Sequence, residues 1–187
     1  MQRFSVIGTA HIDDPELLRA LVEALDEAAP DQLILEMPDD AVAAGNVALQ
    51  KPEMLVAYRW AEKRGIPVRG HEPPGLSVLR DGLAPERRLD LVKEMDGLVS
   101  SLTARRTFDI FCKLGPPETL AERRLSAVLD ELIDPQRASA RTQAIVAAVQ
   151  QLAAPEGVVL IICGGNHVAQ IAEALPGCRI IRGDHFF

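Results

Sequence analysis

Two apolar runs near opposite ends of the chain, Phe4-Ser5-Val6-Ile7 and Val158 to Cys163, each stop at a glycine and hand over to a segment of helical pattern. They are too short for helices, and in Val158 to Cys163 the apolar residues are consecutive rather than alternating. That is the pattern of strands covered on both faces, as in a parallel sheet packed between helices. Two further short runs, Leu33-Ile34-Leu35 and Ile66-Pro67-Val68, are expected to join them, and Arg179-Ile180-Ile181 supplies a last strand. Pro67 argues against a fully regular strand at its own position.

The intervening segments carry helix punctuation. Asp14-Pro15-Glu16 offers an N-cap, a proline at the first helical position and a first-turn carboxylate, followed by Leu17, Leu18, Leu21, Val22 and Leu25 at helical spacing. A second helix is expected from about Pro52 to Gly65, with Met54, Leu55, Tyr58 and Ala61, and another from Val168 to Leu175. From Leu76 to about Ala154 leucines and valines lie among balanced charges, with breaks at Gly115-Pro116-Pro117 and Asp134-Pro135, so residues 76–154 read as a helical insert or arm that adds no strand. The whole chain, 1–187, is then one α/β domain with a largely parallel or mixed sheet, flanked by helices and interrupted by that insert between the third and fourth strands. At 187 residues such a domain buries a core large enough to need no disulfides.

Composition narrows the partners. A net charge of −7 offers no basic footprint for phosphates, and 4% aromatic residues leave few platforms for base stacking, so nucleic acid is not an expected partner. No apolar run of membrane-spanning length and no signal-peptide h-region is present, so neither a membrane nor export is expected. Cys112, Cys163 and Cys178 form no C-x-x-C pair and fit a reducing cytoplasm. Phe186 and Phe187 would suit a subunit contact in a homodimer, or belong to a loose tail.

Gly8-Thr9-Ala10-His11 and Gly164-Gly165-Asn166-His167 repeat one device: a buried strand, a glycine, two residues, then histidine before a helix. Gly8, Gly164 and Gly165 would let the backbone turn and approach a ligand, while His11 and His167 sit at strand exits, placed for metal binding or proton transfer. Glu36 and Glu72 also follow strands, where a carboxylate is costly to desolvate unless a cation or donors meet it. Parallel sheets gather ligands outside the carboxyl ends of their strands, so these four residues are expected in one crevice, able to hold a divalent ion such as Mn, Co or Zn. Structural alternatives stand beside each: capped turns for the histidines, an exposed turn at Pro73-Pro74 for Glu72, and packing or surface for His71. His185 lies in the terminal segment. Cys163 is a nucleophile beside His167 or an inert core thiol. Arg141 either reaches the crevice, neutralising an anion or orienting Glu36, or lies on the surface. Arg87-Arg88, Arg105-Arg106 and Arg123-Arg124 read as solvated ion pairs.

Gly8-Thr9-Ala10-His11, Leu33-Ile34-Leu35-Glu36, Gly70-His71-Glu72-Pro73, a helical middle, Arg141 and Gly164-Gly165-Asn166-His167 together resemble the TraB/Tiki (PrgY-like) family, in the wider group of erythromycin-esterase-like and ChaN-like proteins. Ser139-Ala140 stand where that family often carries an acidic residue before the arginine. The resemblance implies that His11 and His167 are the paired histidines, Glu36 and Glu72 the glutamates and Arg141 the arginine. Tiki proteins act as metal-dependent proteases, erythromycin esterases cleave cyclic esters, TraB-like members inactivate peptide pheromones and ChaN-like members bind haem iron. The expected function is therefore metal-dependent hydrolysis of peptide or ester bonds. Metal ligands would be His11, His167 and Glu36, with Glu36, Glu72 and Arg141 in the chemistry. The alternative is a non-catalytic module holding a small anionic ligand, haem or a peptide.

Overall fold

The computed structural model describes residues 2–9, 15–45, 51–72 and 77–181, with the backbone alone at Leu17 and Ala104. The order of elements is β1 (Gln2–Thr9), α1 (Pro15–Ala28), β2 (Gln32–Leu35), α2 (Asp39–Ala43), α3 (Pro52–Arg64), β3 (Val68–Gly70), α4 (Pro85–Val99), α5 (Ala104–Phe111), α6 (Leu120–Leu132), α7 (Pro135–Leu152), β4 (Gly157–Gly164), a single 3-10 turn (Gly165–His167), α8 (Val168–Ala174) and β5 (Arg179–Ile180). All strands run parallel, in the order β3-β2-β4-β1-β5. The α/β fold with a helical stretch between the third and fourth strands is the one expected.

Local chemistry explains most boundaries. Pro15 opens α1; its expected cap, Asp14, lies outside the described residues. Pro52 and Glu53 open α3, Lys63 and Arg64 complement its carboxyl end, and Gly65 ends it in the left-handed conformation, φ 66°. The Asp134 side chain accepts from the backbone N–H groups of Gln136 and Arg137, with Pro135 in the first turn of α7. The third strand is displaced from its expected place: it begins at Val68, while Pro67, lacking an N–H, contributes only its carbonyl to Leu33.

Two apolar layers sandwich the sheet. On one face Ile7, Leu33, Leu35, Leu160 and Ile162 pack under α1 and α3. On the other, Phe4, Val6, Ile34, Val159, Ile161 and Cys163 pack under Phe108 and Cys112 of α5, Ile145 and Val149 of α7, and α8. The insert is thus more than an arm. Two of its helices close the second face of the sheet, while α4 and α6 meet in small clusters, one around Leu91, Val128 and Leu132 and one around Leu125 and Leu129 that also takes in Ile110 of α5. The stretch adds no strand to the sheet among the described residues; its one bridge, Leu79 to Ile133, stands apart.

Strand order fixes where a ligand would go. From β1 and β2 the chain travels under α1 and α3 towards β3; from β3 and β4 it returns under α7 and α8 towards β5. Connections leave the neighbouring ends of β2 and β4 on opposite faces, the arrangement that in parallel sheets puts a ligand crevice at the carboxyl edge.

Candidate functional site

Register builds the site. Leu35 is level with Gly70 on β3 and with Ile162 on β4, and Gly8 with Cys163. One residue further on, the parallel register sets His71, Glu36, Cys163 and Gly8 in one row across the carboxyl edge. The pairing continues into this row: Glu36 N–H donates to Ile162 O, and His71 N–H to Leu35 O. Apart from Gln32, Thr107 and Glu122, the buried polar or charged side chains of the described residues gather here: Glu36, Glu53, His71, Arg141, Thr142 and His167. Such a concentration costs free energy unless the groups satisfy one another or a ligand.

Glu36, 4% exposed, is the hub. Arg141 donates from Nη2 to its Oε1 at 3.0 Å, and Lys51 Nζ lies 3.4 Å from the same oxygen. Its other oxygen, Oε2, accepts the backbone N–H of Gly164. Cations from both helical layers therefore meet one carboxylate, Arg141 from α7 and Lys51 from the residue before α3. Arg141 also reaches Glu72 Oε1 at 3.2 Å, tying the exits of β2 and β3 to α7. Arg141 is buried because it continues the row of Ile145 and Val149 along one face of α7. The surface alternative for Arg141 does not describe this geometry. The Glu72 side chain, 29% exposed, is the more open carboxylate.

His167 is fixed by its neighbours. The Thr142 hydroxyl donates to Ala138 O at 2.8 Å, so at 2.7 Å it accepts from His167 Nδ1–H. That leaves a lone pair on Nε2, to which the Asn166 amide donates at 3.2 Å. Burial first of all, helped by Arg141, His71 and Lys51 against the pull of Glu36, pushes the imidazole pKa down to about 4, so the ring is neutral at neutral pH.

His71 is buried too, 2% exposed, rather than on the surface. Its Nε2 lies 3.3 Å from Ile162 O, which can only accept. Burial dominates its lowered pKa, opposed by Glu36 and by the carbonyls of Ile162 and of His71 itself, with Arg141 adding to the lowering. On the far side of β4, Thr9 Oγ1 lies 3.2 Å from Glu53 Oε1 and 3.3 Å from Cys163 O. Glu53, Lys51 and Thr9 are site residues that sequence reasoning missed. Glu53 reads as an ordinary first-turn carboxylate, and Lys51 as an ordinary surface charge.

Gly8 and Gly165 lie in close packing. A Cβ on Gly8 would stand 2.7 Å from Val168 Cγ2 and 3.1 Å from Cys112 Sγ, and one on Gly165 would stand 3.2 Å from that sulfur. Gly164 contributes its N–H to Glu36. Cys163 is fully buried and its thiol is pushed well up by desolvation and by Glu36, which suits the inert core thiol and not the nucleophile. His11, Pro73, Pro74, His185, Phe186 and Phe187 lie outside the described residues. Among those described, no group of three or more His, Cys, Asp or Glu side chains is arranged to hold a metal ion. No described helix is long and apolar enough to cross a membrane.

Comparison with protein-family models, curated proteins and solved structures gives no match for this chain.

Proposed function

We propose that this protein is a metal-dependent hydrolase of peptide or ester bonds, working in the crevice between β2 and β4. One observation carries the reading: His167 is held neutral, with Thr142 taking its Nδ1–H and its Nε2 lone pair met, among the described residues, only by the Asn166 amide, which a ligand ion would displace. An outer partner that fixes the tautomer is the usual support of a ligating imidazole. The TraB/Tiki resemblance implies His167, His11 and Glu36 as the ligand set, and Glu36 would have to exchange a donor now on one of its oxygens, Arg141 or Lys51 on Oε1 or the Gly164 N–H on Oε2, for the ion. A divalent ion there supplies Lewis acidity towards a carbonyl and a lowered pKa for water.

The protein's own groups divide the remaining work by accessibility. Glu72, the more open carboxylate, is the general base. Glu36, gripped by Arg141, Lys51 and Gly164, holds the β2 and β4 exits in register. Lys51, 31% exposed, is the cation best placed to meet negative charge developing on a substrate oxygen.

Lys51 also favours a second reading. A half-open cation beside Arg141 suits capture of a small anionic ligand, haem or a peptide carboxylate without turnover. Assaying the purified chain on a panel of esters and short peptides, with chelator and then with Mn, Co or Zn, separates the two. Metal-dependent turnover lost in Glu72→Gln is the expected result. Ligand binding without turnover under every condition would replace the hydrolase by the binding module.

A further inference from the structure

The first turn of α3 is tied to the carboxyl edge at two places, and the function above uses only one. Lys51, the residue that caps α3, sends Nζ to within 3.4 Å of Glu36 Oε1 at the exit of β2. Two residues further on, Glu53 is 4% exposed, and its Oε1 lies 3.2 Å from Thr9 Oγ1 at the exit of β1. Between those two strands lies β4, and both ties close on it. Glu36 Oε2 accepts the Gly164 N–H, while Thr9, level with Gly164, also sets its hydroxyl 3.3 Å from Cys163 O. Lys51, Glu36, the end of β4, Thr9 and Glu53 therefore form one closed ring over the strand exits.

An ammonium on a flexible four-carbon stem is only as well placed as the backbone that carries it. Here Pro52 fixes the first helical position, and the Lys51 carbonyl accepts from the Leu55 N–H at 3.0 Å. A first-turn glutamate needs no burial to complement the helix end. Burying Glu53 against a strand exit costs desolvation, part of which the Thr9 hydroxyl offsets, and the return is a fixed seat for the turn that bears Lys51. We propose that Glu53 is a positioning residue: through Thr9 it seats the first turn of α3 on the exits of β1 and β4, and so holds the Lys51 ammonium at the crevice. The proposal rests on Lys51 serving the site, a role that the hydrolase and the binding module above share.

Two measurements test it, and only one needs turnover. Limited acetylation with acetic anhydride, followed by mass spectrometry, compares Lys51 with Lys63, Lys93 and Lys113, all exposed. Glu53→Ala should raise the relative rate at Lys51 several-fold, and Glu53→Gln, which keeps an oxygen to accept from Thr9, should restore it. Leu91→Ala, which destabilises the distant contact of α4 with α6, should leave that rate at its wild-type value. In the ester and peptide assay, Glu53→Ala should lower kcat by roughly 10- to 100-fold with KM nearly unchanged, and should cost nothing further once Lys51→Met is in place. Lys51 acetylated at the wild-type rate in Glu53→Ala, or an equal loss of turnover from Glu53→Ala with and without Lys51→Met, would overturn the proposal. A faster Lys51 in a chain that neither turns over substrate nor binds an anion would remove the function proposed above and leave Glu53 as the residue that holds Lys51. Should Glu53→Ala fail to fold, Thr9→Val removes the hydroxyl at nearly constant volume and is expected to give the same two results; a wild-type rate at Lys51 in that variant would overturn the proposal equally.

Discussion

At the scale of single residues, close approach limits the carboxyl edge more than side-chain size does. A Cβ on Gly70 would lie 2.3 Å from Met37 O and 2.6 Å from Asp39 N, both backbone atoms, whereas on Gly8 the nearest atom is the tip of the Val168 side chain. Backbone cannot step aside as a methyl group can. Gly70→Ala should therefore destabilise by about 3 kcal/mol or more and Gly8→Ala by about 1–3 kcal/mol, with Val168→Ala partly rescuing Gly8→Ala alone. Urea unfolding of the singles and of both doubles checks this; equal rescue of the two glycine variants would contradict it. His167 sets a pH dependence whose sign follows from burial. Its pKa falls from 6.5 to about 4 on folding, so between those values the unfolded chain holds a proton that the native chain lacks. Stability is full above about 6.5 and is lost as pH falls towards 4, by on the order of 2–3 kcal/mol. Glu122, held down to about 2 chiefly by Arg106 and the backbone N–H groups of Glu118 and Thr119, loses its contribution only below its ordinary 4.5. With chelator present, His167→Gln should shrink the loss in the upper window, where His71, its pKa also lowered by burial, still contributes, and leave the lower one unchanged.

At the scale of elements, the Glu36–Arg141–Glu72 link joins β2, β3 and α7 at the one place where their ends must stay together. Arg141→Ala leaves Glu36 buried with its nearest cation removed, and should cost about 3–5 kcal/mol. Arg87→Ala, which breaks an ion pair with Glu131 whose side chains are 45% and 38% exposed, should cost under about 1 kcal/mol. Denaturant unfolding of both variants tests the contrast, and similar losses would mean that the buried link carries no special weight. These elements also mark what the sequence could convey. The strands either side of the insert, the proline-started helices and the glycine stop of α3 were legible because each has a local signal. The five-residue α2 has too few residues to display a period, and β3 was misplaced because the apolar Ile66-Pro67 precedes its hydrogen-bonded part. Glu36 was legible as a polar residue at the end of an apolar run. His71 and Glu53 were not, because burial of the first depends on β3 lying beside β2, and that of the second on α3 lying over β1. Those are pairings of distant segments that no local pattern reports.

At the scale of the whole molecule, the chain divides into a large, continuous core and a small one. The sheet with α1, α3, α5, α7 and α8 encloses β4, whose residues Val159 to Cys163 are wholly buried, whereas α4 and α6 rest on clusters of few fully buried residues, with Leu89 and Leu120 exposed. Less apolar surface removed from water means less free energy to open, so α4 and α6 should unfold sub-globally while the sheet stays intact. Native-state hydrogen exchange at low denaturant is expected to show amides of Leu91, Val128 and Leu132 exchanging through an opening several kcal/mol below that of Leu160 and Ile161. The site lies wholly outside the weaker region: Glu36, His71, Arg141 and His167 come from the strand exits and α7. A ligand that binds the crevice should accordingly slow exchange along β2, β4 and α7 and leave α4 and α6 unchanged. Equal protection of all these segments would mean that the chain opens as one unit, and that the helices beyond the sheet are part of what the site depends on.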